Sequence, residues 1–285
     1  MKNQKFGIEI EMQGLTREKA AGVVAGYFGT QSEYIGGPYR AWIVNDGQGR
    51  IWKLMNDSSI RVTKGEAVEL VSPICSYDDI ERIQEIVRLL RKAGARSNES
   101  AGIHIHIDAS SHTAQSIKNI SNIMASKEDL IFKALNVDRS REQRYCKKAD
   151  PLFLDEINKK KPRSLSEVKK LWYRGADGSR EHYHFSRYHA LNLHSVFSTG
   201  TIEFRMFNST INHAGTIKAY IQFCLAISHQ ALTQRSASRK KTVTVNDKYT
   251  FRCWLLRLGL IGDEFKTARH HLLANLEGNT AWLVA

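Results

Sequence analysis

The order of strand-like and helix-like stretches predicts an α+β protein with a largely antiparallel sheet. The two kinds of stretch are mixed along the 285 residues, without the strict strand–helix–strand alternation that a parallel sheet requires. Residues 5–12 alternate apolar and polar side chains, as a half-buried strand does. A hairpin is indicated at Ala41–Asn45 and Ile51–Met55, on either side of the turn Asp46-Gly47-Gln48-Gly49.

The remaining elements follow from periodicity and from turn residues. Further strands are predicted for short apolar runs bounded by turn residues, at residues 67–72, 103–109, 188–197 and 201–207. Helices are predicted where apolar residues are spaced three and four apart, at residues 16–28, 76–94, 113–136, 165–172, 212–234, 247–258 and 263–276. The basic segment 138–163 is expected to be a loop.

The basic run Arg235–Lys241 is the best candidate for a linker between domains. We expect residues 1–234 to form the main domain. Residues 242–285 are then expected to form a C-terminal helical extension, packed on or beside that domain.

The chain has a formal net charge of +13. This balance favours an anionic partner such as a nucleotide, a nucleic acid or an acidic peptide, although a charge kept for solubility would look the same. No apolar run reaches the roughly 18 to 20 residues that a membrane span needs, so we expect a cytoplasmic protein with no membrane partner. The four cysteines are scattered and form no C-x-x-C pair, which indicates reduced thiols.

Three strand-like stretches each carry two polar or charged residues separated by one apolar residue. They are Glu9-Ile10-Glu11, His104-Ile105-His106 and Glu203-Phe204-Arg205. Residues two apart in a strand point to the same face. If the three strands share a sheet, one face carries carboxylates, imidazoles and a guanidinium, which suits a divalent metal that holds phosphate. Each pair alone could equally be a solvated strand face.

Two further carboxylates complete the candidate set. Glu69 is a charge inside an otherwise apolar strand, and a buried charge needs a partner. Asp57 follows a strand and could simply close a turn through its side chain. The chain has no Walker-type loop and no G-x-G-x-x-G, so any ATP is bound without them.

Seven short motifs in this order resemble the amidoligase family of the glutamine synthetase and glutamate–cysteine ligase superfamily of carboxylate–amine ligases. The motifs are Phe6-Gly7-Ile8-Glu9-Ile10-Glu11, Asn56-Asp57-Ser58-Ser59, Glu69-Leu70-Val71-Ser72-Pro73, Gly102-Ile103-His104-Ile105-His106, Arg144-Tyr145-Cys146, Arg187-Tyr188-His189-Ala190-Leu191-Asn192 and Thr201-Ile202-Glu203-Phe204-Arg205. The resemblance spans about residues 5–225. It implies a curved sheet of the glutamine-synthetase catalytic-domain type with flanking helices, whose concave face holds ATP and two divalent ions, Mg²⁺ or Mn²⁺.

The resemblance also implies roles for individual residues. One ion would be bound by Glu9, His104 and Glu203, and the other by Glu11 and Glu69 with Asp57. Arg205 would contact the substrate carboxylate or the transferring phosphoryl group. Arg187 and Arg144 would neutralise phosphate charge, and Asn192 also matches the nucleotide-binding set. Asp57 and His106 are both candidates for the base that deprotonates the amine.

These roles predict an ATP-dependent carboxylate–amine ligase that forms an amide or isopeptide bond through an acyl phosphate. Its substrates would be a small-molecule or peptide carboxylate and an amine, and the basic charge allows one of them to be carried on a nucleic acid. Two alternatives stay open: a metal-dependent nucleic-acid phosphodiesterase, and a nucleic-acid-binding module with a vestigial site. Specificity is expected in the segments 138–163 and 175–180.

Overall fold

The computed structural model describes residues 1–283, over which the chain forms eight strands and ten α-helices. The strands are β1 (Phe6–Met12), β2 (Ser32–Gly36), β3 (Ala41–Asn45), β4 (Ile51–Met55), β5 (Val68–Val71), β6 (Gly102–Asp108), β7 (Leu191–Asn192) and β8 (Thr201–Asn208). The helices are α1 (Arg17–Phe28), α2 (Asp79–Ala93), α3 (Ala114–Ala134), α4 (Arg139–Arg144), α5 (Pro151–Lys160), α6 (Leu165–Tyr173), α7 (His194–Ser198), α8 (Ala214–Thr233), α9 (Asp247–Arg257) and α10 (Lys266–Leu273). Short 3-10 turns lie at Phe185–Arg187 and Asp263–Phe265.

The strands form one open sheet in the order β2-β3-β4-β5-β1-β6-β8-β7. The pairs β2–β3, β3–β4, β4–β5, β1–β5 and β7–β8 are antiparallel. The mixture of helices with an antiparallel sheet confirms the predicted α+β class. Whether the sheet is of the glutamine-synthetase type stays a prediction.

The chain divides into two compact units. Residues 2–105 and 207–221 form one unit, called here the strand-rich unit. Met1, residues 106–206 and the chain from Gln222 onward form the other, called the helix-rich unit. Each unit is defined by its internal contacts and is discontinuous in the sequence. The domain boundaries expected at residues 234 and 241 stay a prediction.

In the strand-rich unit, β1 and β6 bury alternate residues. Ile8 and Ile10 of β1, like Ile103 and Ile105 of β6, are almost completely buried, because period-two alternation turns them to one face. Helix α1 packs against β2, β3 and β4 and against α2. Thr16 caps the N-terminus of α1 by accepting from the backbone N–H of Lys19. Because the isoleucines of β1 and β6 occupy one face of the sheet, the residues between them lie on the other face, where charged groups can be placed.

In the helix-rich unit, α3 packs against α5 and α6, and α9 packs against α10. The predicted C-terminal extension contacts earlier helices of this unit. The ring centroids of Phe223 on α8 and Trp254 on α9 are 5.6 Å apart, and Asn275 donates to the carbonyl of Ala134. Residues 284 and 285, the last two of the predicted extension, lie outside the described residues.

Two predicted elements were wrong, and one strand was missed. The segment 138–163 is not a loop, because it contains α4 and α5, each capped by an aspartate side chain, Asp138 and Asp150. Residues 188–197 form only the two-residue strand β7 and then turn into α7. Strand β2 was not predicted. It lies at the edge of the sheet, and three of its five residues are exposed.

The basic run Arg235–Lys241 is held against helices of its own unit. The side chain of Asn122 on α3 donates to the carbonyl of Ala237, and Ser126 donates to the carbonyl of Lys240. Arg239 forms an ion pair with Asp155 on α5. The segment is therefore docked along its length in this structure.

None of the helices in the described part of the chain is long and apolar enough to cross a bilayer. The cysteines are free thiols, as predicted. Cys146 is buried, and burial raises the pKa of its thiol to about 11. Cys253 is only partly buried.

Candidate active site

Two glutamates face each other across the strands β1 and β5. The antiparallel register pairs Glu11 directly with Glu69, and both side chains are buried. Directly opposite residues of an antiparallel pair have side chains on the same face, with Cβ atoms about 4.5–5.5 Å apart. Two buried carboxylates at that separation repel each other unless a cation or a proton lies between them.

Asp57 joins this pair from the loop that follows β4. One carboxylate oxygen from each of Glu11, Asp57 and Glu69 lies within 4.8 Å of the other two. Asp57 accepts from the backbone N–H of Ser59 at 2.6 Å, and Glu11 accepts from the N–H of Gly102 at 2.6 Å. These donors fix the orientation of both carboxylates.

A second group shares Glu69 and adds Glu9 and His104. Their ligand atoms also lie within 4.8 Å of one another. Nδ1 of His104 donates to Oε2 of Glu9 at 2.9 Å, and its Nε2 lies 3.8 Å from Oε1 of Glu11. His104 therefore lies between two carboxylates that come from the same strand.

The chemistry of these donors fits divalent cations. The group of Glu11, Asp57 and Glu69 offers only carboxylate oxygens, which suit Mg²⁺. The group of Glu9, Glu69 and His104 adds an imidazole nitrogen, which suits Mn²⁺ as well. The donors of each group therefore suit a divalent cation, and the two ions implied by the family resemblance stay a prediction.

In the helix-rich unit, Glu203 is the centre of a hydrogen-bonded cluster. Asn192 lies opposite Glu203 in the β7–β8 register and donates from Nδ2 to Oε2 of Glu203 at 2.6 Å. Nη1 of Arg205 forms an ion pair with Oε1 of Glu203, and Nε of Arg205 donates to the carbonyl of Tyr145 at 3.3 Å. All three polar side chains on these two strands are buried.

His106 lies at the edge of this cluster. Its Nδ1 is 3.1 Å from the hydroxyl oxygen of Thr201, and its Nε2 is 4.0 Å from Oε1 of Glu203. The imidazole thus has a hydrogen-bond partner in Thr201, whereas the separation of 4.0 Å from Glu203 is too long for a hydrogen bond.

The two arginines expected to bind phosphate have different surroundings. Arg187 lies over the rings of Tyr183 and Tyr188, at 5.7 and 5.9 Å from their centroids, and donates to the carbonyl of His182 at 2.8 Å. Arg144 is exposed at the end of α4. Only Arg187 is held by aromatic neighbours.

The hydrogen bond from Asn192 to Glu203 was not predicted from the sequence. The amide of Asn192 anchors a buried carboxylate, and the register of β7 with β8 was not readable from a two-residue strand. The predicted ion site of Glu9, His104 and Glu203 draws residues from both units, so it stays a prediction. The predicted set of Glu11 and Glu69 with Asp57 lies within the strand-rich unit, and these three residues do lie together.

An antiparallel sheet with facing carboxylates and an imidazole defines a protein with a candidate divalent-cation centre. Residues 2–228 match the family described as "putative amidoligase enzyme". The chain belongs to this family, which confirms the resemblance carried by the seven motifs. The family description denotes an enzyme that forms amide bonds, and such an enzyme takes a carboxylate and an amine as substrates. No curated protein matches the chain.

Proposed function

We propose that this protein is an ATP-dependent ligase that joins a carboxylate to an amine through an acyl phosphate, with two divalent ions. The observation that carries the proposal is the pair of Glu11 and Glu69, which face each other while buried. Membership of an amidoligase family supplies the reaction class. The paired carboxylates would supply the site for divalent cations.

Bound ions would neutralise charge on the γ-phosphate of ATP and orient it toward the substrate carboxylate. Glu69 would serve both ions, since its ligand atoms belong to both groups. Glu11 and Asp57 would complete one group, and Glu9 and His104 the other. In the prediction from the family resemblance, Glu203 also joins the ion held by Glu9 and His104.

Arg205 is proposed to stabilise negative charge on the substrate. Its guanidinium already holds Glu203, but five N–H donors allow it to contact a carboxylate and a phosphoryl oxygen together. Asn192 would keep Glu203 oriented while Arg205 contacts the substrate. Arg187 and Arg144 are proposed for the phosphates of ATP.

Two residues stay candidates for the base that takes a proton from the amine. Asp57 would have to act while it also binds an ion, which lowers its basicity. His106 lies 3.1 Å from the hydroxyl oxygen of Thr201 and belongs to neither of the two ion groups proposed above. The pH profile of an Asp57→Asn variant against that of His106→Gln distinguishes them.

The test is carboxylate-dependent exchange of oxygen within ATP. The full chain is incubated with Mg²⁺, β,γ-bridge ¹⁸O-labelled ATP and pools of amino acids and peptides, with and without amines. Acyl-phosphate formation scrambles the bridge oxygen with the carboxylate alone, and the amine then gives net ADP. We expect Glu69→Gln to abolish both signals and the exposed Glu33→Gln to leave them unchanged.

The same variants are examined without substrate by thermal unfolding in Mn²⁺. A ligand at about 100 times its dissociation constant stabilises the folded state by about 2.7 kcal/mol, and Glu69→Gln should lose most of this gain. ADP release that ignores every carboxylate and amine and survives in Glu69→Gln would refute the ligase. Cleavage of RNA with Mn²⁺ and no ATP, lost in His104→Ala, would instead favour the phosphodiesterase.

A further inference from the structure

The positive charge of the protein is unevenly distributed between the two units. The helix-rich unit contains 27 Lys and Arg against 16 Asp and Glu, a net +11, whereas the strand-rich unit contains 15 against 13, a net +2. The candidate ion groups formed by Glu11, Glu69 and their neighbours lie in the nearly neutral unit. The excess of cations therefore needs a separate explanation.

Two basic runs that are far apart in sequence lie beside the same helix. Lys159-Lys160-Lys161 ends α5, and Arg239-Lys240-Lys241 belongs to the docked segment. Arg239 forms an ion pair with Asp155, which is one turn before Lys159 on α5. The fold thus concentrates cations at the C-terminal end of this helix.

Within the described part of the chain, five exposed cations of the helix-rich unit are not held in ion pairs. Among the described residues, no carboxylate forms an ion pair with Lys159, Lys161, Lys170, Arg180 or Lys240. Exposed, uncompensated cations raise the local concentration of an anionic partner and contribute little to stability.

Two large aromatic side chains of the same unit extend into solvent. Tyr183 is 66% exposed and Phe185 is 79% exposed, on the loop that follows α6. Arg174 at the start of this loop pairs with Asp150, which caps the N-terminus of α5. The loop is therefore tied to one end of the helix whose other end carries the lysines, about 15 Å away, a distance that an extended polynucleotide can span. Exposed aromatic rings between cations are typical of surfaces on which nucleic-acid bases stack.

We propose that these groups form a binding surface for a single-stranded polynucleotide. This surface, called the basic aromatic surface, consists of Lys159–Lys161, Lys170, Arg180, Tyr183, Phe185 and Arg239–Lys241. The rings stack on bases while the ammonium and guanidinium groups contact phosphates. A duplex fits less well, because its bases are already stacked on one another. The inference goes beyond the proposed ligase, since binding needs neither ATP nor the carboxylate groups.

The test is fluorescence anisotropy of the full chain with a labelled single-stranded DNA of about 16 nucleotides. Tyr183→Ala and Phe185→Ala should each weaken binding about tenfold, and Tyr183→Phe should retain it, since the ring is kept. Lys170→Gln and Arg180→Gln should each reduce the slope of log affinity against log salt by about 0.7. The matched controls Tyr34→Ala and Lys64→Gln alter exposed residues of the strand-rich unit and should change neither quantity.

Three outcomes would overturn the proposal. One is equal weakening by the control variants, and a second is tighter binding of the duplex of the same sequence. The third is displacement of the oligonucleotide by poly-glutamate at equal charge concentration, which would assign the surface to acidic polypeptides. Circular dichroism and thermal unfolding of each variant separate lost binding from lost folding.

Discussion

At the scale of single residues, the strongest feature is a buried carboxylate that is held by two different donors. Glu203 accepts from Asn192 on the neighbouring strand and from Arg205 on its own strand. Both donors are needed because a buried charge without partners costs several kcal/mol. Asn192 is thus a positioning residue for Glu203 and would not itself act on the substrate.

Replacing Asn192 by aspartate tests this role. The new carboxylate would lie within hydrogen-bond distance of Glu203 in a buried site, so we expect the free energy of unfolding to fall by about 2 kcal/mol or more. Urea denaturation at pH 7 measures the change. The exposed Asn212→Asp serves as control, and an equal effect of both substitutions would contradict the role of Asn192.

The candidate site shows what a single sequence can and cannot predict at this scale. The i, i+2 pairs identified Glu11, His104 and Glu203, because the two-residue period fixes which side chains share a face. The pairing of Glu11 with Glu69 was beyond reach from spacing alone, since register depends on how far β1 slides along β5. Only the family resemblance joined these two residues.

At the scale of elements, a network of charges ties the β3–β4 turn to the start of α2. Arg50 donates to Asp46 in the turn and, through two nitrogens, to Asp79 in the first turn of α2. Burial works to raise the pKa of Asp79, but hydrogen bonds from Arg50 and Ser76 outweigh it and lower that pKa to about 2. The carboxylate therefore stabilises the folded state in its charged form.

The pH dependence of this network follows from the sign of the shift. A carboxyl whose pKa is lower in the folded state stabilises the protein above its unfolded pKa, near 4, and loses this effect as the pH falls toward 2. Asp79→Asn should therefore cost about 2 kcal/mol at pH 7, and the cost should shrink between pH 4 and pH 2. Chemical denaturation across this range measures it, with the neighbouring, exposed Asp78→Asn as control.

The docked segment Arg235–Lys241 gives a second prediction at this scale. Because Asn122 holds it through the carbonyl of Ala237, the segment should be cut slowly by trypsin despite its four basic residues. Asn122→Ala should increase the rate of cleavage there several-fold. If the wild-type chain is cut at once, and the variant no faster, the docking does not persist in solution.

The failure to predict α4 and α5 also belongs to this scale. The segment that contains them is basic, and they are only six and ten residues long, so neither would be stable as an isolated helix. What stabilises α5 is burial of Phe153, Leu154 and Ile157 in the helix-rich unit. The start signal Asp150-Pro151 was nevertheless present, since aspartate at the cap and proline at the first position favour a helix start.

At the scale of the whole molecule, acid should destabilise the protein well before its carboxylates are protonated. His112 is buried between the hydroxyls of Ser116 and Ser228, at 3.1 and 2.9 Å. Burial lowers the pKa of His112 to about 4, and the charge of Asp108 opposes this only in part. The imidazole is therefore neutral in the folded state at any pH well above 4.

This effect has the same direction as that of Asp79, because each group has a lower pKa in the folded chain than in the unfolded chain. Between about pH 6.5 and pH 4 the unfolded chain binds a proton that the folded chain does not, so stability falls by up to about 1.4 kcal/mol per pH unit. His112→Gln should reduce this slope, leaving the contributions of His194 and His229, whose pKa values burial also lowers, while the exposed His270→Gln should leave the full slope. The free energy of unfolding is measured for both variants at several pH values. Equal slopes of this free energy against pH would refute the role assigned to His112.

The facing glutamates of β1 and β5 have a consequence for how the protein is made. A slip of one residue between these strands would turn Glu11 toward the apolar core and bring Ile10 or Met12 to the charged face. A chain with that error could not form the carboxylate groups, so it would gain nothing from divalent ions. If the proposed divalent ions bind, they would therefore stabilise only molecules whose strands have paired correctly.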